Sequence, residues 1–391
     1  MWKKAAIAAA ITSTVIISLG LSAGNQGDIA WYQFAIHQWA AGALPYIGHM
    51  VEYPPYALII FGLPWLIDDS RYLLIFLVMA FIIDIAIKAI LFRLGQKKPE
   101  DSRSWLPLLA YSIGAVLCSY VYLQRFDLWP ALIGLIAVLL FIDRKHLSSG
   151  AMLSIAVGVK LYPIVFGLPM LAIAIREKQW KRFAIGIIAG ALPILLLSFV
   201  LPWWRFALVQ GSRGLQAESI YASAIWLAHL IYGVPAFWIH TTAWFEVQGP
   251  IASAVVPWAR IFFGASMIAA TVIATRSAWR ASSRGAVGIG RLSRILLIPL
   301  LAFVAFNLVL SPQYMIWLIP MAALAALEGS IWPVAMILLA AALVPAFYPS
   351  YQYFSANGLD LLQTWALFAR NMLLAVSCIW LAVSEWRARV S

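Results

Sequence analysis

The chain has 391 residues, of which 64% are hydrophobic and 11% charged, and its formal net charge is +12. Soluble domains are usually about 25% charged, so this composition excludes a water-soluble core and points to a membrane protein with many crossings. The Lys and Arg excess then belongs in cytoplasmic loops rather than on a nucleic acid, and Cys118 and Cys378, both inside apolar runs, argue against a disulfide framework or a metal cluster.

The first apolar run, residues 5–21, follows Lys3 and Lys4. It is longer than a usual signal-peptide core of about 7–15 residues and no A-x-A site follows, so it reads as an uncleaved span running outward. The polar segment "GNQGDIAWYQFAIHQWAAGALPYIGHMVEYPPY" comes next, outside. Between Pro55 and Asp68 lies an apolar stretch cut by Pro64. It is too short to cross and reads as a helix in the outer interface. Residues 72–94 return to "GQKKPEDSR". Residues 105–123 go out to "QRFD", and 128–142 come back to "DRKH".

The apolar block 150–175 begins and ends beside basic loops, which one crossing cannot satisfy. Two short arms meeting at "KLYP" can, with Lys160 at the outer turn and Pro163 as the break. Residues 183–201 run outward to a Trp-rich outer loop in which residues 219–232 read as an interfacial helix. Residues 251–275 return to "RSAWRASSRGAVGIGRLSR", whose arginines, glycines and serines read as a linker. Four more spans follow, at 295–310, 314–327, 331–347 and 364–383, and "WRARVS" ends inside. The fold class is therefore all-α and polytopic, with about 12 transmembrane segments, broken helices among them, and extracytoplasmic interfacial helices. It is expected as one membrane domain with a module over 1–275 carrying the loops and a helix bundle over 276–391.

Most Lys and Arg residues fall on the cytoplasmic side of this scheme. The exceptions are Arg71, Lys88, Arg125, Lys160, Arg205, Arg213, Arg260 and Arg370, and cations placed against the charge rule mark function. The outer face also gathers Asp28, His37, His49, Glu52, Asp127, Glu218, Glu246 and Gln313. Cations around an acid at a membrane surface suit an anionic lipid head group, with Arg and Lys on phosphate and the acid accepting a nucleophile's proton. No P-loop, G-x-S-x-G or H-E-x-x-H motif is present.

The ordered set of an acid after the first span, "VEYPPYALIIFGLP", "QRFDLWP", "GVKLYPIVFGLP", "SRGLQAES" and "SPQYMIWLIP" resembles glycosyltransferase family 87, whose members are membrane enzymes of the GT-C type. The likeness runs over roughly residues 1–327. It implies inverting transfer of a sugar from a polyprenyl phosphate on the extracytoplasmic face of the plasma membrane, with both termini cytoplasmic and no obligatory metal or other cofactor. The implied partners are the lipid-linked sugar, a glycolipid or glycan acceptor and the bilayer. Mannose is the sugar it implies first and arabinose the alternative. The family's first-loop acid maps to Asp28 and its K-x-Y-P lysine to Lys160. This chain carries a single Asp in that loop, and Gln313 stands where a histidine is possible.

Each candidate also has a plainer reading. Asp28 is either the catalytic base or the N-cap of the helix that follows. Lys160 holds the donor phosphate or pairs with Asp127. Arg125 and Asp127 are either phosphate and sugar contacts or a solvated local pair. Arg213 is a further phosphate ligand, with Gln216 and Glu218 on the acceptor, or the three form a polar helix face. Glu52, Tyr53, His49, Gln313 and Tyr314 complete the candidate sugar and acceptor residues. His37 and His49 otherwise read as interfacial. Trp203, Trp204, Trp238 and Trp244 read as an aromatic belt. Arg370 and Asn371 pair with Glu246 or Asp360 or close the site, and Asp84 and Lys88 neutralise each other at i, i+4. Broken helices also suit a transporter or lipid flippase. That alternative predicts duplicated halves and midplane polar groups.

Overall fold

The computed structural model describes residues 2–22, 28–97, 100–240, 245–348 and 359–388. Lys98, Trp244 and the end of the terminal basic run lie outside them. The first helix, α1 (Trp2–Leu19), leads to α2 (Ile29–Ala40), then α3 (Tyr56–Asp68) and α4 (Tyr72–Gln96). Asp68 adopts an extended conformation and its carboxylate accepts from Ser70 N, which separates α3 from α4. Next come α5 (Leu106–Leu117), α6 (Leu128–Ile142), α7 (His146–Val159), α8 (Gly167–Arg176) and α9 (Trp180–Leu197). The outer segment folds as α10 (Arg205–Ser212), α11 (Ile220–Tyr232) and an antiparallel hairpin of β1 (Phe237–His240) and β2 (Phe245–Gln248). The chain finishes with α12 (Pro250–Ser282), α13 (Ile289–Ala305), α14 (Tyr314–Ala325), α15 (Ile331–Leu343) and α16 (Leu361–Arg387).

Among the described residues five helical stretches are long and apolar enough to cross a membrane: Trp2–Leu19, Tyr56–Gln96, Trp180–Leu197, Pro250–Ser282 and Leu361–Arg387. Shorter apolar helices complete an all-α membrane fold. At its centre α13 and α14 are buried on nearly every face, as expected of helices apolar all round.

The break at Lys160 is present. Val159 ends α7, Lys160 is extended and a short 3-10 turn, Tyr162–Phe166, precedes α8. The two arms start and finish together, because Glu177 after α8 accepts from Arg144 and lies 3.2 Å from His146 at the start of α7. Glycines seat α7 on α9. A Cβ at Gly150 would strike Phe183 O, and one at Gly186 would strike Leu147 O. Small residues permit this approach, and close packing drives helix association where lipid offers no hydrophobic gain.

Three elements differ from the sequence expectation. The span expected over 105–123 is helical only to Leu117, since the chain then turns and Tyr122 donates to Asp84 Oδ1 at 3.0 Å. The expected linker is mostly helix. Arg276 lies on α12 with its guanidinium 3.8 Å from the Trp386 ring centroid, and α13 resumes at Ile289. The β1–β2 hairpin was not foreseen, because its two strands have only four residues each. The helix expected over 219–232 forms, with Ser219 capping Ala222 N and Gly233 ending it at φ +67°.

Candidate active site

A cavity of about 420 Å³ opens where six segments of the chain meet. Asp28 enters from the start of α2, Glu52 and Tyr53 from the loop before α3, and Arg125 from the α5–α6 turn. Lys160 comes from the α7 break, Arg213 and Gln216 from the segment after α10, and Gln313 and Tyr314 from the start of α14. The Arg213 segment is held as an added strand. Ala217 N donates to Phe245 O, Val247 N to Leu215 O and Gln216 N to Leu308 O.

Asp28 occupies the N-cap position of α2, yet its side chain makes no capping bond. Its Oδ1 instead lies 3.0 Å from Arg125 Nη1. The solvated Arg125–Asp127 pair is therefore corrected. Arg125 is buried and faces Asp28, while Asp127 turns under Lys160. Lys160 Nζ donates to Asp127 Oδ1 at 2.6 Å. The ammonium also sits 4.5, 5.1 and 5.5 Å from the ring centroids of Phe126, Trp317 and Tyr53. Rings and carboxylate together offset the cost of a buried cation, about 2.5–3.5 kcal/mol when it is left alone.

Asp127 does not border the cavity, so its expected contact with a sugar hydroxyl is not made. Its Oδ1 also accepts from Trp317 Nε1, and it positions Lys160 from below. Glu218 is likewise set back. It is buried against Arg370, whose Nη2 donates to Glu218 O at 2.8 Å, and Asn371 donates to the same carbonyl. This corrects the pairing of Arg370 with Glu246 or Asp360. Asp360 instead caps α16 with Gln363, and Glu246 accepts from Gly214 N at 2.8 Å. His49 stands outside the cavity and holds the preceding turn through Ala43 O. His37 pairs with Asp69 at 2.8 Å.

Glu52 accepts from Arg213. Burial pushes the Glu52 carboxyl above the usual range and nearby Asp28 adds to this, while Arg213 opposes it. Gln216 Nε2 donates to Ser311 Oγ at 2.8 Å. Sequence reasoning missed Trp317, Tyr162, Gln210, Asn307 and Tyr348, all on the cavity wall. Trp317 carried a signal, since it lies one helical turn after Tyr314 on the same face. The Tyr314 and Tyr162 rings stack on it at 3.8 and 4.4 Å.

A second hollow of about 660 Å³ lies between α2, α3 and α9, and side chains such as Trp39, Leu58, Leu66 and Leu197 line it. Tyr53 and Pro54 belong to the charged cavity, and Pro55 and Tyr56 to the apolar groove. One tetrapeptide thus forms a wall of both. Ala57 N and Leu58 N occupy the carbonyls of Pro54 and Pro55.

The profile of glycosyltransferase family 87 matches residues 51–302, more than half of the chain. The chain belongs to glycosyltransferase family 87. The match covers Glu52, Tyr53, Arg125, Lys160, Arg213 and Gln216, while Asp28, Gln313 and Tyr314 reach the same cavity from outside it. A search among curated proteins found no match. As a family 87 member the protein is a glycosyltransferase with membrane-spanning helices.

Proposed function

We propose that the protein is an inverting, extracytoplasmic enzyme of the plasma membrane that moves a sugar from a polyprenyl phosphate to a hydroxyl of a glycolipid or glycan. Mannose is the expected sugar. The chain then forms one GT-C domain of about 12 crossings with both termini cytoplasmic. The observation that carries this reading is the shared wall at residues 53–56. A charged cavity on one side and an apolar groove on the other suit a substrate with an anionic head and a long hydrocarbon tail. The Lys and Arg distribution supports the sidedness.

In the reaction the acceptor hydroxyl gives its proton to Asp28. Its oxygen bonds to the anomeric carbon as the carbon–oxygen bond to phosphate breaks. The bonding pair leaves with polyprenyl phosphate, whose extra negative charge is met by Lys160, Arg125 and Arg213. Phosphate is already a good leaving group, so one base suffices. Asp127, Trp317 and the rings around Lys160 hold the ammonium before substrate arrives, which lowers the ordering cost of binding.

The test is transfer by the purified chain with synthetic polyprenyl-phosphate mannose and a panel of acceptors. Asp28→Asn is expected to keep donor binding and lose about 10²–10⁴-fold in rate, the usual worth of a general base. Lys160→Ala is expected chiefly to raise KM for the donor. Equal turnover by wild type and Asp28→Asn would remove Asp28 as the base.

A further inference from the structure

Three carboxylate–cation pairs meet at the cavity, and they are not equivalent. Asp127 beneath Lys160 is buried and does not border the cavity, so a ligand cannot take its place. Asp28 does border it, with its side chain 38% exposed, while the Arg125 side chain it faces is 9% exposed. Arg125 is also under-used. Its Nε and Nη1 are buried without a hydrogen-bond partner among the described residues. Nη1 is close enough to Asp28 for charge pairing at 3.0 Å but lies off the hydrogen-bond direction. Its Nη2 reaches Tyr348 Oη only at 3.5 Å. A buried guanidinium with idle donors facing a cavity is built for a planar or tetrahedral oxyanion.

We propose that the Asp28–Arg125 pair is an exchange switch in which the donor's phosphate takes Arg125 from Asp28, so that the carboxylate becomes a free base only when donor is bound. This rests on the reading of Asp28 as base and Arg125 as phosphate ligand. In the empty site Arg125 holds the carboxylate in an ion pair at 3.0 Å. A bound phosphodiester, carrying one negative charge, offers oxygens to the idle donors and draws the guanidinium away. After transfer the phosphate is a monoester with one more negative charge, and Asp28 carries the acceptor's proton, so the exchange is then at its fullest. Once Asp28 passes that proton to water it competes for Arg125 again and helps expel the product. The coupling is reciprocal, since whatever Asp28 takes from phosphate binding, phosphate takes from the Asp28–Arg125 contact. Water reaching an empty site meets a carboxylate already paired with Arg125.

The sign of one measurement decides the matter. Binding of undecaprenyl phosphate to the full chain in lipid nanodiscs is compared for wild type, D28N, R125Q and the double variant. The switch requires D28N to bind more tightly than wild type, by roughly fivefold or more. R125Q binds more weakly, and the gain from D28N vanishes in its presence. D28S, a second neutral replacement, gives the same sign. Undecaprenol, which lacks the phosphate, binds wild type and D28N alike and reports that the variant is folded. D28N binding equal to or weaker than wild type overturns the switch while leaving the carrier reading intact. No binding by wild type overturns the carrier reading and the switch with it. Inorganic phosphate is the arm that separates head group from carrier. It should bind far more weakly than the lipid and show the same D28N gain, and affinity equal to the lipid's overturns the carrier reading.

Discussion

Two polar clusters in this molecule use the same residue types to opposite ends. Within the bundle Asp84 accepts from Lys88 at 2.7 Å, Tyr122 at 3.0 Å and Tyr111 at 3.3 Å, and Lys88 also donates to Thr14 Oγ1. This knot ties α1, α4, α5 and the α5–α6 turn together. At the outer cavity two buried donor atoms of Arg125 have no hydrogen-bond partner among the described residues, and Asp28 borders the cavity beside it. Both clusters sit in poorly solvated surroundings, where an unmade bond costs more than in water. Of these two clusters the saturated one fastens helices inside the bundle, and the unsaturated one borders the cavity.

The largest effect should come from breaking the saturated cluster. Asp84→Ala strands the Lys88 ammonium and is expected to cost about 3–5 kcal/mol, the usual loss when one partner of a buried pair is removed. Replacing both residues by leucine should restore most of that stability. Thermal unfolding in nanodiscs would report both, and a double variant as unstable as Asp84→Ala would mean the pair does more than cancel charge. Tyr122→Phe should be milder, about 0.6–1.7 kcal/mol, as for other hydrogen bonds inside membrane proteins. A loss well outside that range would show the bonds to Asp84 acting as a unit.

The smallest effect sharpens the cavity side of the comparison. The Glu52 carboxyl is raised by burial, so it takes a proton at a higher pH than a free glutamate. As pH falls through that raised value Glu52 becomes neutral and lets go of Arg213. Binding of a phosphodiester donor, whose own charge is constant there, should tighten, because the mostly buried Arg213 is then released to the phosphate. In Glu52→Gln the curve should be flat. A wild-type affinity that weakens on acidification would assign Arg213 to another role.

Much of this was legible in the chain. Helix α6 covers residues 128–142 as expected, and the α7 break falls at Lys160, because proline, length and flanking charge are local properties. Partner choice was legible only in part. The Lys160–Asp127 pair stood among the alternatives and is present, whereas Arg125, two residues from Asp127, pairs with Asp28 from another element. Glu218 finds Arg370 across 152 positions. Such matches depend on how distant loops converge, which periodicity does not encode. The basic stretch from Arg276 to Arg294 misled for a related reason: its first part continues α12, where the Arg276 guanidinium lies over the Trp386 ring, although composition suggested a linker.

The two prolines between the charged chamber and the apolar groove have one further consequence. Neither has an amide hydrogen to offer, and both carbonyls are already engaged by the first turn of α3. These two residues therefore present no free main-chain donor to anything sliding along them. A hydrocarbon can lie against them as it would against lipid, and the place where that chain must stop is set by charge on the far side and not by friction along the way.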